Sequence, residues 1–323
     1  MRATLRALLS TLFALPLLLG PVPAHADTAD PAGWPRPRFL SYNVCGAASH
    51  CPPIYGKSPA AWRDMVVRAM DYWDADLVML QEVCYLQWTT LRNHLQSRTN
   101  GPKYDSIWAA TRTAPGCGRW DPDNPDADLR FGLVIFAKGA AQTINNGSRV
   151  VYPLPETDPS GTIENRIMLC ARAPITGRLV RACNTHIAPG ALGSRQIAHV
   201  ATLTREFAAM GDPVVLAGDF NVLPHEAALD PLYNHSGGRG VFQEVDENDK
   251  SFFVNGCAPS QDRCRSGEAT AKKPCSPNVT HPGKIDYIFL SYYWFTTVRG
   301  DAAACAGDLS DHHLLRGAAA WEH

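Results

Sequence analysis

The chain has almost no charge to spare: 30 lysines and arginines stand against 31 aspartates and glutamates, a net of −1. Any phosphate-bearing partner must therefore be held by a local site, not by a blanket of positive charge. Extremes of composition are missing too. With 45% hydrophobic and 19% charged residues, 25 Gly and 25 Pro, a disordered tail protein, a collagen and a coiled coil are excluded. No internal repeat appears, and no linker of real length divides the chain. There is no C-x-x-C pair, which zinc thiolate clusters usually have. The most apolar stretch, Ala7 to Gly20, is about 14 residues, where a bilayer span needs roughly 20.

That stretch belongs to a leader. Arg2 and Arg6 precede it, and Ala24-His25-Ala26 is a small-x-small cleavage signal. Its shortness argues against an uncleaved anchor helix. Removing residues 1–26, with two arginines and no acid, leaves residues 27–323, a single domain of 297 residues and net charge −3. The expectation is a secreted monomer without a transmembrane segment. Export changes the meaning of the ten cysteines, all in the mature part: an even number in an oxidising compartment suggests up to five disulfides. One pairing follows from spacing. Ile167–Ile175 and Arg178–Thr185 read as two strands joined at Thr176-Gly177, and residues facing each other have numbers summing to 353, which pairs Cys170 with Cys183. Cys45–Cys51 closes a plausible short loop.

Strand-like and helix-like runs alternate. Ser58-Pro59 opens a helix carrying Trp62, Met65, Val66, Ala69, Met70 and Trp73 at helical spacing. Ser194 is the expected cap of a second helix, with Ile197, Val200, Ala201, Thr204, Phe207 and Ala208 inward and Gly211 at its end. Buried strands are expected at Phe39–Val44, Leu77–Leu80, Leu133–Ala137, Val214–Ala217, Ile285–Leu290 and Leu314–Trp321. The antiparallel hairpin at 167–185 argues for mixed sheets with outer helices, not a purely parallel doubly wound sheet. Residues 255–283, rich in Cys, Pro, Ser and Lys, read as a disulfide-pinned loop.

Six strand ends carry polar groups that apolar packing does not explain. They are Asn43, Glu82, Asn184 with His186, Asp219 with Asn221, Asp286, and Asp311-His312. Any one alone is an ordinary turn former. Together they read as a convergent site, because strand ends on one edge of a sheet come together. Glu82, Asp311 and Asn43 are hard oxygen donors that suit Mg²⁺, with Mn²⁺ or Ca²⁺ as alternatives. His312 beside an acid can be a general base oriented by Asp286, and His186 can donate to a phosphate or a leaving oxygen.

Ser-Tyr-Asn-Val (41–44), Gln-Glu-Val (81–83), Asn-Thr-His (184–186), Gly-Asp-Phe-Asn (218–221), Lys-Ile-Asp-Tyr-Ile-Phe (284–289) and Ser-Asp-His (310–312) resemble the ordered motif set of the endonuclease/exonuclease/phosphatase superfamily. Each motif alone is weak; six in order cover nearly the whole mature chain. The resemblance implies a four-layer α/β/β/α sandwich of two mixed sheets flanked by helices, with the site at one edge. It implies Glu82 as principal metal ligand assisted by Asn43 and Asp311, and His312 paired with Asp286 as the base. Asp219 and Asn221 would position nucleophile and phosphoryl group, His186 would contact the scissile phosphate, and Arg166 and Asn184 would contact substrate. For Arg166 a surface ion pair is the competing reading. His313 competes with His312, and the motif favours His312.

The reaction implied is attack of water on a phosphodiester. Val-Leu-Pro after Gly-Asp-Phe-Asn disfavours the inositol-phosphatase branch, and His186 disfavours the abasic-site branch, leaving deoxyribonuclease-like and sphingomyelinase-like readings. Tyr292-Tyr293-Trp294-Phe295 could touch a membrane surface, or form a strand with two rings inward and two outward. Arg263, Arg265, Lys272, Lys273 and Lys284, with Arg119 and Arg130, could track nucleic-acid phosphates, and they tip the reading to a nuclease. Asp121, Asp123, Asn124, Asp126 and Asp128 could hold a structural Ca²⁺ but lack the glycine and closing glutamate of an EF-hand loop, so a solvated turn is the favoured reading. A binding protein that kept the fold and lost the chemistry is the reading from another class; the intact polar set argues against it.

Overall fold

Alternation of apolar and polar residues in short runs builds sheets with two different faces, and each face here meets a different layer. The computed structural model describes residues 30–48, 51, 59–124, 126–155, 165–247, 262–272, 275, 283–304 and 310–322. The leader, Ser58, Cys257, Lys273 and Cys305 lie outside them. One six-stranded sheet is made of β1 (Arg38–Asn43), β2 (Leu77–Cys84), β3 (Tyr104–Thr113), β4 (Arg130–Lys138), β11 (Phe295–Ala302) and β12 (Leu315–Trp321) in the order β11-β12-β1-β2-β4-β3. The other is made of β5 (Asn145–Pro153), β6 (Ile167–Ile175), β7 (Arg178–His186), β8 (Val214–Asp219), β9 (Phe242–Glu244) and β10 (Asp286–Ser291) in the order β5-β6-β7-β8-β10-β9. Only β1–β2 and β7–β8 run parallel, so both sheets are mixed.

Leu77 and Met79 of β2 join Leu169, Val215 and Ile288 in the core between the sheets, while Val78 and Leu80 face outward. Onto that outer face pack α1 (Pro59–Trp73), through fully buried Trp62, Met70 and Trp73, and α2 (Tyr85–Ser97), through Leu91 and Leu95. On the other sheet α3 (Gly190–Ala209) covers Leu216 and Phe289 with Ile197, Val200 and Phe207. The result is the four-layer sandwich expected from the sequence.

The hairpin β6–β7 has the expected register, with Cys170 opposite Cys183 and a disulfide joining them. Thr176 (φ 44°) and Gly177 (φ 85°) are both left-handed, as a two-residue hairpin turn that matches strand twist requires. Cys45–Cys51 is bonded as expected; Cys84–Cys117, which spacing did not reveal, ties β2 to the turn before β4, and Cys264 and Cys275 are also disulfide-bonded.

Two expectations need correction. The second helix begins at Gly190 after Pro189, so Ser194 lies inside it and caps nothing. Tyr292, Tyr293 and Trp294 form a turn, and only Phe295 belongs to a strand, because the chain here leaves one sheet for the other. The acids of 121–128 follow the solvated-turn reading: Asp128 pairs with Arg130, and Asn124 donates to Asp121.

Candidate active site

Strand register alone brings three of the polar residues into one row. His186 of β7 stands opposite Asp219 of β8, and Asp219 stands opposite Asp286 of β10. Gly218 makes this row tight: a Cβ there would lie 1.9 Å from the Thr185 carbonyl oxygen, so only glycine lets β7 and β8 approach. On the facing sheet β1 ends in Asn43, opposite Gln81 of β2. Next to it β2 carries one extra residue between Leu80 and Val83, and Glu82 takes a left-handed conformation (φ 58°). A bulge of this kind re-aims a side chain at the end of a strand. Glu82 and Asp219 are thereby brought onto one amide: Asn43 Nδ2 donates to Glu82 Oε1 and Asp219 Oδ2, both at 3.1 Å. Asn43 Oδ1 accepts from the Cys45 N–H and keeps a second lone pair.

His312 completes the cluster. Its Nδ1–H donates to Asp286 Oδ2 at 2.8 Å, and its Nε2 lies 3.7 Å from Asp219 and 3.9 Å from Asp311. Ser310 fixes the backbone here, accepting from the His312 N–H and donating to the Asn43 carbonyl oxygen. Asn221 (φ 51°) donates its backbone N–H to Asp219 Oδ1 and its side chain to the Ile187 carbonyl, which leaves Nδ2 3.4 Å from His186 Nε2. His186 Nε2 is also 3.4 Å from Asp219, and its Nδ1 is 3.9 Å from Glu82.

Burial and crowding set the electrostatics. Burial and the neighbouring Asp286 push the Asp219 carboxyl up to about 7. Burial alone would lower His312; Asp286, by charge and hydrogen bond, with Asp219 and Asp311, outweighs it and holds the imidazole well above its ordinary value. His186 goes the other way: burial first, then the charges of Arg166, His312 and Arg112, keep it neutral. Two histidines that approach the same Asp219 oxygen, at 3.4 and 3.7 Å, are thus shifted in opposite directions, a pattern characteristic of acid–base sites.

Not every expected residue belongs here. Asn184 is fully buried between the sheets, where its amide donates to the Leu80 and Val134 carbonyls and its oxygen accepts from Gln81. With its donors and its oxygen committed there, its role is to tie the two sheets together, not to touch substrate. His313 faces the Ala303 and Lys272 carbonyl oxygens and turns away from the cluster. Arg265 and Lys284 cannot follow a phosphate chain: both are buried, Arg265 against Asp230 and the Tyr233 ring, Lys284 against Glu244 and Asp246. Arg263, at the surface, also pairs with Asp230. The turn at Tyr292 is remote, because β10 leads away from Asp286 to Ser291, whose hydroxyl meets Val214 at the opposite end of β8. Five residue steps of strand separate Asp286 from Ser291, about 17 Å. Arg112, whose charge also acts on His186, gave no signal in the sequence, where it is a lone arginine in a strand.

The donors suit a hard divalent cation: carboxylates from Glu82, Asp219 and Asp311 with an amide oxygen, and Asp219, Asp286 and His312 offer ligand atoms within 4.8 Å of one another. A carboxyl pushed up to about 7 among other acids is a group short of positive charge.

The chain matches the family model described as Endonuclease/Exonuclease/phosphatase family over residues 40–312. No curated protein matches its sequence. Among solved structures it resembles the human Nocturnin catalytic domain with bound sulfate, at 15% identity and a TM-score of 0.60, covering 89% of this chain and 94% of that one. A mannosyl-6-phosphatase from Bacteroides thetaiotaomicron gives 17% identity and a TM-score of 0.60, covering 88% and 99%. A truncated TDP2 from Caenorhabditis elegans gives 14% identity and a TM-score of 0.55, covering 87% and 95%. At these identities the likeness is one of fold.

Proposed function

The chain belongs to the endonuclease/exonuclease/phosphatase family, and from that premise we propose that it is a secreted, metal-dependent phosphodiesterase acting on nucleic acid, with residues 1–26 as its signal peptide and 27–323 as one catalytic domain. The observation that carries the reading is the His312–Asp286 pair at 2.8 Å, set against Asp219 and within reach of Glu82 through Asn43.

His312 Nε2 takes the proton of the attacking water while Asp286 holds the ring and stabilises its charge. The surrounding acids favour the imidazolium, so the neutral form that accepts a proton depends on positive charge entering the cluster. Glu82 and Asp311, with the oxygen of Asn43, would hold a divalent cation, Mg²⁺ in the first instance. When bound it supplies charge against the crowded carboxylates and the phosphoryl oxygens. Asp219 and Asn221 position the nucleophile and the phosphoryl group. Neutral His186 donates a hydrogen bond without adding charge, and Arg166 supplies the charge on that side.

Sphingomyelin is the rival substrate. It loses support because the exposed Tyr292 and Tyr293 stand at the far end of the sheet. The test is product release from plasmid DNA and from sphingomyelin liposomes, side by side, with Mg²⁺ and with EDTA. Chelator-sensitive nicking without phosphocholine release is expected; phosphocholine release without nicking would overturn the choice of substrate.

A further inference from the structure

Arg112 stands near the end of β3, beside a local irregularity. In β3, Trp108 belongs to the outer cluster and Ile107 and Ala109 to the core between the sheets. Simple alternation would therefore send Arg112 outward with Trp108. The register to β4 shifts by one residue between Ala110 and Arg112, with Thr111 as the extra residue, its hydroxyl donating to the Phe131 carbonyl. Arg112 comes to stand opposite Phe131, which packs in the outer cluster and itself stands opposite Cys84 of β2, two residues past Glu82; the Arg112 guanidinium lies 5.5 Å from the Phe131 ring. Two strands of this sheet, β2 and β3 with β4 between them, thus carry a bulge at the same end, one beside Glu82 and the other beside Arg112.

The facing sheet places Arg166 on the same flank. It precedes β6, whose first residue lies at the His186 end of the hairpin, and β3 packs over β6. Arg112 and Arg166 both contribute to holding His186 neutral, in accord with this placement. Arg112 is exposed, and among the described residues no carboxylate pairs with it. Two strand spacings separate β3 from β2, about 10 Å, which puts Arg112 beyond the scissile centre but beside it.

We propose that Arg112 binds the phosphate next to the scissile one in a nucleic-acid strand, so that the Arg112–Arg166 flank is the side along which the strand leaves the site. The inference rests on the phosphodiesterase reading and names its substrate: a single phosphate leaves Arg112 without a ligand, whereas a strand supplies one in the fork geometry a guanidinium takes.

The experiment compares Arg112→Gln with wild type on a DNA oligonucleotide and on bis(4-nitrophenyl) phosphate, a diester with one phosphate. The variant is expected to lose at least tenfold more kcat/KM on the oligonucleotide than on the small diester, chiefly through KM. The slope of log(1/KM) against log salt should fall by about 0.7 to 0.9 for the one contact removed. Arg112→Lys should restore part of the affinity and the salt slope. Equal losses on both substrates, or an unchanged salt slope, would overturn the assignment while leaving the phosphodiesterase reading intact. Wild-type protein that cleaves neither substrate would overturn both.

Discussion

On one flank of the candidate row, Arg112 lies near the end of β3 and Arg166 just before β6; on the other, Arg265 and Lys284 lie beneath the surface against Asp230, Glu244 and Asp246. Both flanks are basic in sequence, and the second is the denser run. The difference lies in where the matching acids fall. A buried cation must be paired, because desolvation costs several kcal/mol per ion, so acids folded against it hold it in a structural role. Arg112, exposed near a strand end and paired with no acid among the described residues, keeps its charge for a ligand. Counting basic residues along a segment therefore finds candidates but not phosphate contacts.

The sharpest separation of chemistry from structure comes from His312→Ala. It should lower kcat by about 10²–10⁴, with the melting temperature held near that of wild type. Loss of folding in place of activity would move His312 from the chemistry into the core. On the structural flank, Lys284→Met leaves Glu244 and Asp246 buried without their cation and should cost about 3–5 kcal/mol in denaturant unfolding. Arg112→Gln should stay within about 0.5 kcal/mol of wild type in the same assay. Similar costs for the two would erase the contrast between the flanks. Cys170→Ser, remote from both, should cost about 2–4 kcal/mol of stability and leave kcat unchanged.

The smallest effect concerns pH. Burial and the adjacent Glu268 push the Asp301 carboxyl up to about 7, against Arg316. A carboxyl whose folded value lies above its unfolded one contributes stability that is full below the unfolded value of 3.8 and is lost as pH rises through about 7. Asp301→Asn should therefore flatten the decline in stability between pH 5 and pH 8, measured by urea unfolding at each pH; an unchanged slope would place the titrating group elsewhere.

Much of the fold was legible because its strands are short apolar runs and its hairpin has a turn of unmistakable composition at Thr176-Gly177. What escaped had weak patterns. β5 is a largely exposed edge strand, and α2 follows β2 directly, with Cys84 and not a serine or threonine at its start. The site was legible at His186, Asp219, Asp286 and His312, each at the end of an apolar run. Asn184 misled because its spacing to His186 looks the same from the sequence whether the residue faces substrate or the opposite sheet.

By itself the sequence determined the family, the two mixed sheets with outer helices, one disulfide and the order of the polar strand ends. These depend on periodicity and on neighbours a few residues apart, which the chain states directly. Only the tertiary structure decided which polar residues face the cleft and which cations are already matched. Those outcomes hang on a one-residue bulge in β2 and another in β3, and on acids brought from distant segments against Arg265 and Lys284. A side chain's face and its partner are properties of register and packing, and register is settled only when the sheets close on one another.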